Sequence, residues 1–220
     1  MPNSNAALPS RRFTALLLSL LLYIVVYPVL PDAPVRDTLL LAFQTAIIFA
    51  GAWVLGQNAR LARVAIPLAV ITLVMVWLAT LVPGPAIRNT GRTLLAVFFV
   101  LTTVQLVLYL VRARSANMAT VLASVCGYLM IAIVYALAYG IVDEFVLASF
   151  SSGMVDPDAS DYLYFSLVTL TTLGYGDIAP VHPMARSLAT TEAVIGQFYV
   201  AVIVARLVSL IIMEKVRGNE

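Results

Sequence analysis

The sequence predicts an all-α polytopic membrane protein with six transmembrane helices. The chain has 220 residues, of which 62% are apolar and only 11% are charged, whereas a soluble domain has roughly 25% charged residues. Six predominantly apolar stretches approach or exceed the ~20 residues that cross a ~30 Å hydrocarbon core. They cover 13–30, 38–56, 64–82, 93–111, 118–142 and 186–213. A water-soluble monomer of this length could not bury so much apolar surface.

The first stretch follows Arg11 and Arg12, and a basic start before an apolar core is also typical of a signal peptide. Its length argues against that alternative, and no small-x-small cleavage site precedes the turn Pro31-Asp32-Ala33-Pro34. Five more apolar stretches follow. We therefore predict that the first helix is retained. Pro83-Gly84-Pro85 then separates the third stretch from the fourth, because proline cannot continue a helix and glycine favours turns.

Charged residues divide unevenly between the two sides of the membrane. Nine basic residues fall on the side of the termini: Arg11, Arg12, Arg60, Arg63, Arg112, Arg114, Arg206, Lys215 and Arg217. Four fall on the other side: Arg36, Arg88, Arg92 and Arg186. The outer side also holds Asp32, Asp37, Asp143, Glu144, Asp156, Asp158, Asp161 and Asp177. The positive-inside rule therefore predicts that both termini are cytoplasmic.

The residues between the fifth and sixth stretches, 143–185, are too many for a plain loop in such a compact chain. Within them, 161–171 has the length and apolar content of a helix of about three turns, which is too short to cross the membrane. The chain must therefore enter the membrane here and return on the same side. Function is expected to reside in this outward-facing segment.

The short helix is followed by Thr171-Thr172-Leu173-Gly174-Tyr175-Gly176-Asp177. This string resembles the filter of the tetrameric potassium-channel family, Thr-Val-Gly-Tyr-Gly. The resemblance implies a bacterial-type channel of the inner (plasma) membrane, with six helices and one pore loop per subunit. It divides the chain into a four-helix domain, 1–115, and a pore domain, 116–220. The pore domain comprises an outer helix (118–142), a pore helix (161–171), a filter (172–176) and an inner helix (186–213).

A dehydrated potassium ion needs oxygens at matched distances to replace its lost waters, and stacked backbone carbonyls supply them. Gly174 and Gly176 can adopt a positive φ without steric cost, so that successive carbonyls from Thr172 to Tyr175 can face one axis. The Thr172 hydroxyl supplies the innermost ligand, and Leu173 replaces valine on a side chain that points away from the ions. One segment per chain supplies a quarter of the ring, which predicts a homotetramer. Potassium is the permeant ion, and no cofactor is expected.

Five residues around the filter are predicted to support it: Thr171, Asp177, Tyr164, Phe165 and Val168. Tyr164-Phe165 stands where many family members have paired tryptophans, so an aromatic cuff is expected to remain. Tyr164 could donate a hydrogen bond to Asp177, or it could face lipid headgroups. Val168 occupies a position where some members place an acid, so that carboxylate contact is lost.

On the inner helix, Gly196 lies 20 residues after Gly176, as the hinge glycine of the family does. Steps of one turn from Gly196 give an apolar stripe: Val200, Val204, Val208 and Ile212. If this stripe lines the pore, it would close the channel by excluding water. The alternative is that it packs against the fifth helix. The fourth stretch has no arginine between Arg92 and Arg112, so it is not expected to sense voltage.

The sequence allows two interpretations for several single residues. Glu192 in the sixth stretch could hydrogen-bond to the back of the pore helix or couple helix movement to the filter. His182 is more simply a loop residue than an external pH sensor. The acidic residues of 143–161 could concentrate cations at the mouth or be solvated. Cys126 stands alone, which excludes an intrachain disulfide.

Passive potassium conduction is the leading hypothesis, with membrane lipids and other copies of the chain as partners. The alternative is a channel-like subunit of a transporter or a hetero-oligomeric complex with a regulated or closed pore. A net charge of +2 leaves no basic face for nucleic acid. One histidine and few buried charges cannot assemble an enzyme site. Because seven residues follow Met213, no soluble regulatory domain is expected in this chain.

Overall fold

The computed structural model describes residues 4–29, 34–56, 59–82, 84–146, 149–151 and 158–217. Every regular element in these ranges is helical. They are α1 (Ser4–Val26) with a 3-10 turn (Tyr27–Val29), α2 (Pro34–Leu55), α3 (Ala59–Leu81), α4 (Pro85–Arg112), α5 (Met118–Phe145), α6 (Ala159–Leu170) and α7 (Pro183–Arg217). All except α6 are long and apolar enough to cross a membrane. The predicted all-α polytopic fold is confirmed. Asp32, Pro83 and Asp156 lie outside the described residues, as does the Asp37 side chain.

Helices α4, α5 and α7 extend beyond the apolar stretches that predict them, because local signals outside those stretches set their ends. Pro183 opens α7 three residues before the predicted start, since the fixed φ of proline suits the first turn of a helix. The Asn117 side chain accepts a hydrogen bond from the Thr120 backbone N–H and caps α5. That helix runs three residues past the predicted end and so includes Asp143 and Glu144.

The helices pack around α5, which contacts α1, α4, α6 and α7. Helices α4 and α5 are joined by only five residues, 113–117, and so short a connection makes them antiparallel neighbours. The four-helix part therefore packs on the α5 of its own chain. One apolar core crosses the boundary proposed at residue 115, from Phe13 and Leu20 in α1 to Tyr139 in α5 and Ile203 in α7. The division at 115 stays a prediction about function.

Candidate functional site

Helix α6 is a short helix with a well-defined start. The Asp158 side chain accepts a hydrogen bond from the Ser160 N–H, and Asp161 accepts one from the Asp158 N–H at 3.0 Å, which forms a capping box. The 12 residues of α6 span about 18 Å at ~1.5 Å per residue, so it cannot cross the hydrocarbon core. This is the short helix expected from the sequence, with its start two residues and its end one residue earlier than predicted.

The loop after α6 folds back on the end of the helix. The Val168 carbonyl accepts hydrogen bonds from the N–H groups of Leu173 (2.9 Å) and Gly174 (3.3 Å). The Thr172 N–H donates to the Thr169 carbonyl at 3.0 Å. Val168 thus holds the loop through its backbone, a role that its buried apolar side chain does not reveal. The loop is fixed directly to the helix that precedes it.

Every second residue from Thr172 to Gly176 has a left-handed backbone conformation. The φ angles are +60° at Thr172, +61° at Gly174 and +79° at Gly176, while Leu173 and Tyr175 are not in the positive region. Alternation of this kind can turn successive carbonyls to one side of the segment and the N–H groups to the other. The positive φ predicted for both glycines is confirmed. That of Thr172 was missed, although it continues the same two-residue spacing.

Tyr164 supports the loop from the side of α6. Its hydroxyl donates a hydrogen bond to Asp177 Oδ2 at 2.7 Å. Its ring stacks on that of Tyr175, with the ring centroids 6.5 Å apart and the ring planes 7° from parallel. The hydrogen bond to Asp177 raises the pKa of Tyr164 to about 12. The same bond lowers the pKa of the Asp177 carboxyl. Of the two interpretations of Tyr164, the structure shows the hydrogen bond to Asp177.

Phe165 does not join Tyr164 at the loop. It packs behind α6 against Tyr139, with ring centroids 4.9 Å apart, and against Phe150, at 5.2 Å. Adjacent residues on a helix point about 100° apart, so Phe165 enters the core while Tyr164 faces the loop. Among the described residues of one chain, Tyr164 contacts the loop and Phe165 does not. An aromatic cuff that includes Phe165 stays a prediction about the assembled protein.

The segment after Asp177 is anchored by residues that sequence analysis did not select. Ser151 N–H donates to the Ala179 carbonyl at 2.8 Å, and the Val181 N–H donates to the Ser149 carbonyl at 2.9 Å. His182 Nδ1 accepts a hydrogen bond from the Met184 N–H at 3.2 Å. His182 therefore caps α7, which agrees with the simpler of its two interpretations. Small polar residues such as Ser149 give no sequence signal for a pairing about 30 residues away.

Glu192 joins three helices. Its side chain is fully buried, with Oε1 hydrogen-bonded to Ser166 on α6 and Oε2 accepting from the Tyr139 hydroxyl on α5 at 2.5 Å. Of the two interpretations of Glu192, the structure shows the hydrogen bond to α6. Tyr139 was missed because it lies 53 residues away in the sequence. Whether Glu192 couples movement to the filter stays a prediction.

Counting hydrogens indicates which form of Glu192 fits this site. The Ser166 hydroxyl has one hydrogen, but both the Ala132 carbonyl, at 2.7 Å, and Glu192 Oε1 lie within bonding distance of it. Both contacts are satisfied together when Ser166 donates to Ala132 and a protonated Glu192 donates to Ser166. A neutral carboxyl also avoids the cost of a buried charge. The arrangement therefore favours a neutral Glu192.

Gly196 lies where α7 crosses the end of α6. An added Cβ would be 2.7 Å from the Leu170 carbonyl oxygen. The Tyr128 hydroxyl donates to the same oxygen at 3.1 Å. Close packing is thus a sufficient reason for glycine here, and it adds to the hinge role that the resemblance implies. Helix α7 is continuous through this position.

We expect Gly196→Ala to displace α7 from α6 and to destabilise the protein by about 1–3 kcal/mol, the usual cost of overpacking. Thermal unfolding in detergent measures the change. Gly84→Ala is the matched control, because an added Cβ there meets no atom within 4 Å. An unchanged unfolding midpoint for Gly196→Ala would show that α7 can shift without cost.

The stripe proposed for the inner gate is exposed in a single chain. The exposed fractions are 45% at Val200, 52% at Val204, 48% at Val208 and 56% at Ile212. The face that packs against the rest of the chain instead carries Glu192, Gly196, Tyr199, Ile203 and Leu210. The alternative in which the stripe packs against the fifth helix of its own chain is therefore wrong.

The described acidic residues of 143–161 mostly contact protein groups. Glu144 pairs with Arg88 at 2.8 Å and with Arg92 at 3.0 Å. Asp158 pairs with Arg36. Asp143 accepts a hydrogen bond from the Tyr162 hydroxyl at 2.7 Å. Among the described residues, this cluster thus connects α2 with the start of α6 and α4 with α5, and its charge is partly neutralised by arginine.

Residues 125–213 match a family described as ion channel. The two pore potassium channel c of Oryza sativa subsp. japonica is 40% identical over 62 residues, which are 28% of this chain and 13% of that protein. The inward rectifier potassium channel Kirbac3.1 of Paramagnetospirillum magnetotacticum is 38% identical over 63 residues, 26% of this chain and 21% of that protein. The chain thus covers at most about a fifth of either relative. No solved structure matches it.

Proposed function

We propose that this chain, whose residues 125–213 match the ion channel family, conducts potassium passively through a homotetrameric pore. The observation that carries the proposal is the alternation of positive φ at Thr172, Gly174 and Gly176. A loop with this alternation can present its backbone carbonyls to one axis. A ring of such carbonyls can replace the hydration shell of a potassium ion. The filter is 172–176, with the Thr172 hydroxyl as an additional ligand.

The tetramer is supported by the surface that one chain leaves uncovered. Only 17% of the membrane span of α7 is buried within the chain, against 50% of the span of α5. Leu173 is 55% exposed and Tyr175 is 67% exposed. Irregular backbone at membrane depth is tolerated only where it is buried in protein or lines a watery path. Four copies around one axis meet both conditions.

Potassium flux into liposomes that contain only this protein tests the function. We expect uptake of potassium, little uptake of sodium and block by barium. Equal permeability to sodium and potassium would overturn the filter assignment. Absence of any flux from a correctly folded tetramer would favour the alternative, a channel-like subunit of a transporter or a hetero-oligomeric complex.

Opening is expected to depend only weakly on voltage. Moving one elementary charge across the membrane is worth about 2.3 kcal/mol per 100 mV, and α4 has no basic residue between Arg92 and Arg112. Arg92 is also paired with Glu144. Recordings in planar bilayers measure the open probability. A steep sigmoidal conductance equivalent to several gating charges would contradict this expectation.

Asparagine at Val204 or Val208 is expected to raise basal potassium flux severalfold, because a polar ring keeps an apolar constriction wet. Liposome flux compares each variant with the parent. Val202→Asn serves as the control: Val202 is 56% exposed but lies on the face of α7 toward α4 and α5. If the two stripe variants match both the parent and this control, the apolar gate is wrong, and the filter would be the site of control.

A further inference from the structure

A polar cavity of about 270 Å³ opens where α4 ends and the connection to α5 begins. It lies on the side of the membrane assigned to the cytoplasm. Its polar side chains come from the last two turns of α4, from the connection and from the start of α5. They include Gln105, Tyr109, Arg112, Arg114, Asn117 and Thr120.

The mouth of this cavity is positively charged. The side chains of Arg112 and Arg114 are both exposed. Within the described part of the chain, the ion pairs found involve Arg36, Arg88 and Arg92, all at the outer end, and neither arginine of the cavity has a carboxylate partner. Two guanidinium groups at one opening favour an anion with several oxygens, because arginine can bind such groups through two parallel hydrogen bonds.

The inner wall of the cavity lies at membrane depth. Gln105 precedes Arg112 by two turns of α4, a distance of about 10 Å at ~1.5 Å per residue, and lies well within the span Ala86–Arg112. A polar side chain is unfavourable there unless it meets protein or a polar ligand. Tyr109, one turn from Arg112, adds a phenol. The cavity therefore combines hydrogen-bonding groups inside the interface with cations at its edge.

We propose that this cavity binds the phosphate-bearing headgroup of an anionic phospholipid from the cytoplasmic leaflet. Basic pockets between transmembrane helices on this side suit such headgroups. A free phosphate would contact the arginines from the water and would not reach Gln105 at membrane depth. A lipid brings its phosphate to the interface and its glycerol and acyl parts alongside α4. The depth of the polar wall thus favours the lipid.

The cavity is connected to the inner helix. Ala113 is one of the residues that line it, and the Ala113 carbonyl accepts a hydrogen bond from Arg206 of α7 at 2.9 Å. Arg206 also donates to the Leu110 carbonyl at 2.8 Å. A headgroup that orders residues 113–117 therefore stabilises the same backbone that holds α7. Binding is expected to raise the thermal stability of the assembly.

The test measures binding to the purified protein in detergent, with dioctanoylphosphatidylglycerol as the anionic probe and dioctanoylphosphatidylcholine as the zwitterionic one. We expect the anionic lipid to bind and to raise the unfolding midpoint, and the zwitterionic lipid to do neither. The double variant Arg112→Gln/Arg114→Gln should bind the anionic lipid at least about tenfold more weakly than the parent. Gln105→Leu, which keeps both arginines, should bind the anionic lipid severalfold more weakly than the parent.

The matched control is Arg11→Gln/Lys215→Gln, which removes two exposed positive charges from the same side outside the cavity. It should bind like the parent. Equal binding by the Arg112/Arg114 double variant and the parent would overturn the proposal, as would equal binding of both lipids. Binding of inorganic phosphate at the same concentration and with the same effect would assign the cavity to a free anion instead. None of these measurements requires conduction, so failure of the proposed channel function would leave them informative.

Discussion

Gly174→Ala is expected to abolish potassium conduction. Gly174 has a φ of +61°, and an L-residue with a Cβ adopts that conformation at a cost of about 1–2 kcal/mol, or about 4–8 kcal/mol over the four subunits of the proposed tetramer. Relief of this strain would rotate the peptide and turn its carbonyl away from the axis. Within one chain an added Cβ meets no atom within 4 Å, so the effect is conformational. Potassium flux into liposomes gives the measurement.

Leu173→Val is the matched control for this change. It lies next to Gly174, alters only a side chain expected to point away from the ions, and produces the valine of the family filter. It should retain both conduction and the preference for potassium over sodium. Normal, potassium-selective flux through Gly174→Ala would show that the left-handed conformation is not needed for conduction.

Glu192→Ala is expected to lower the free energy of unfolding by about 2–4 kcal/mol. The substitution leaves the Tyr139 hydroxyl without its acceptor in the core and removes the contact with Ser166. An unsatisfied buried group costs about 1–3 kcal/mol, and the cavity left by the side chain adds to that. The midpoint of thermal unfolding in detergent reports the loss.

Glu192→Gln separates a neutral carboxyl from a charged one. A glutamine amide can donate to Ser166 and accept from Tyr139, as a protonated glutamate does. We therefore expect this variant to remain within about 1 kcal/mol of the parent in stability and to conduct normally. If Glu192→Gln is as unstable as Glu192→Ala, then the site requires the negative charge, and the neutral form inferred from the hydrogen count is wrong.

The parts of the site that the sequence predicts are those encoded in consecutive residues. The string from Thr171 to Asp177 contains the two-residue spacing of glycines that allows the left-handed backbone conformation. Tyr164 lies only 13 residues before its hydrogen-bond partner Asp177. Contacts between distant elements could not be predicted in this way. Nothing in the sequence near Glu192 indicates Tyr139, because helix packing decides which of many tyrosines reaches a buried carboxyl.

Helix ends and faces show a second limit of sequence patterns. Every face of the sixth stretch is apolar, so periodicity could not separate the packing face from the exposed stripe. The structure separates them through Gly196, whose lack of a side chain admits Leu170. Likewise, the carboxylates of 143–161 resemble a solvated cluster in the sequence, until the positions of Arg36, Arg88 and Arg92 are known.

In the proposed homotetramer, the five-residue connection between α4 and α5 would keep the first four helices of each subunit on its own α5, because α4 packs there and its Leu110 carbonyl accepts a hydrogen bond from Arg206 of the same chain. In a mixed assembly of parent and Arg206→Gln subunits, each lost contact would be confined to the quadrant of the subunit that carries it. Defects should then accumulate in proportion to the number of altered subunits. An arrangement in which peripheral helices crossed to a neighbour would spread each defect over two quadrants.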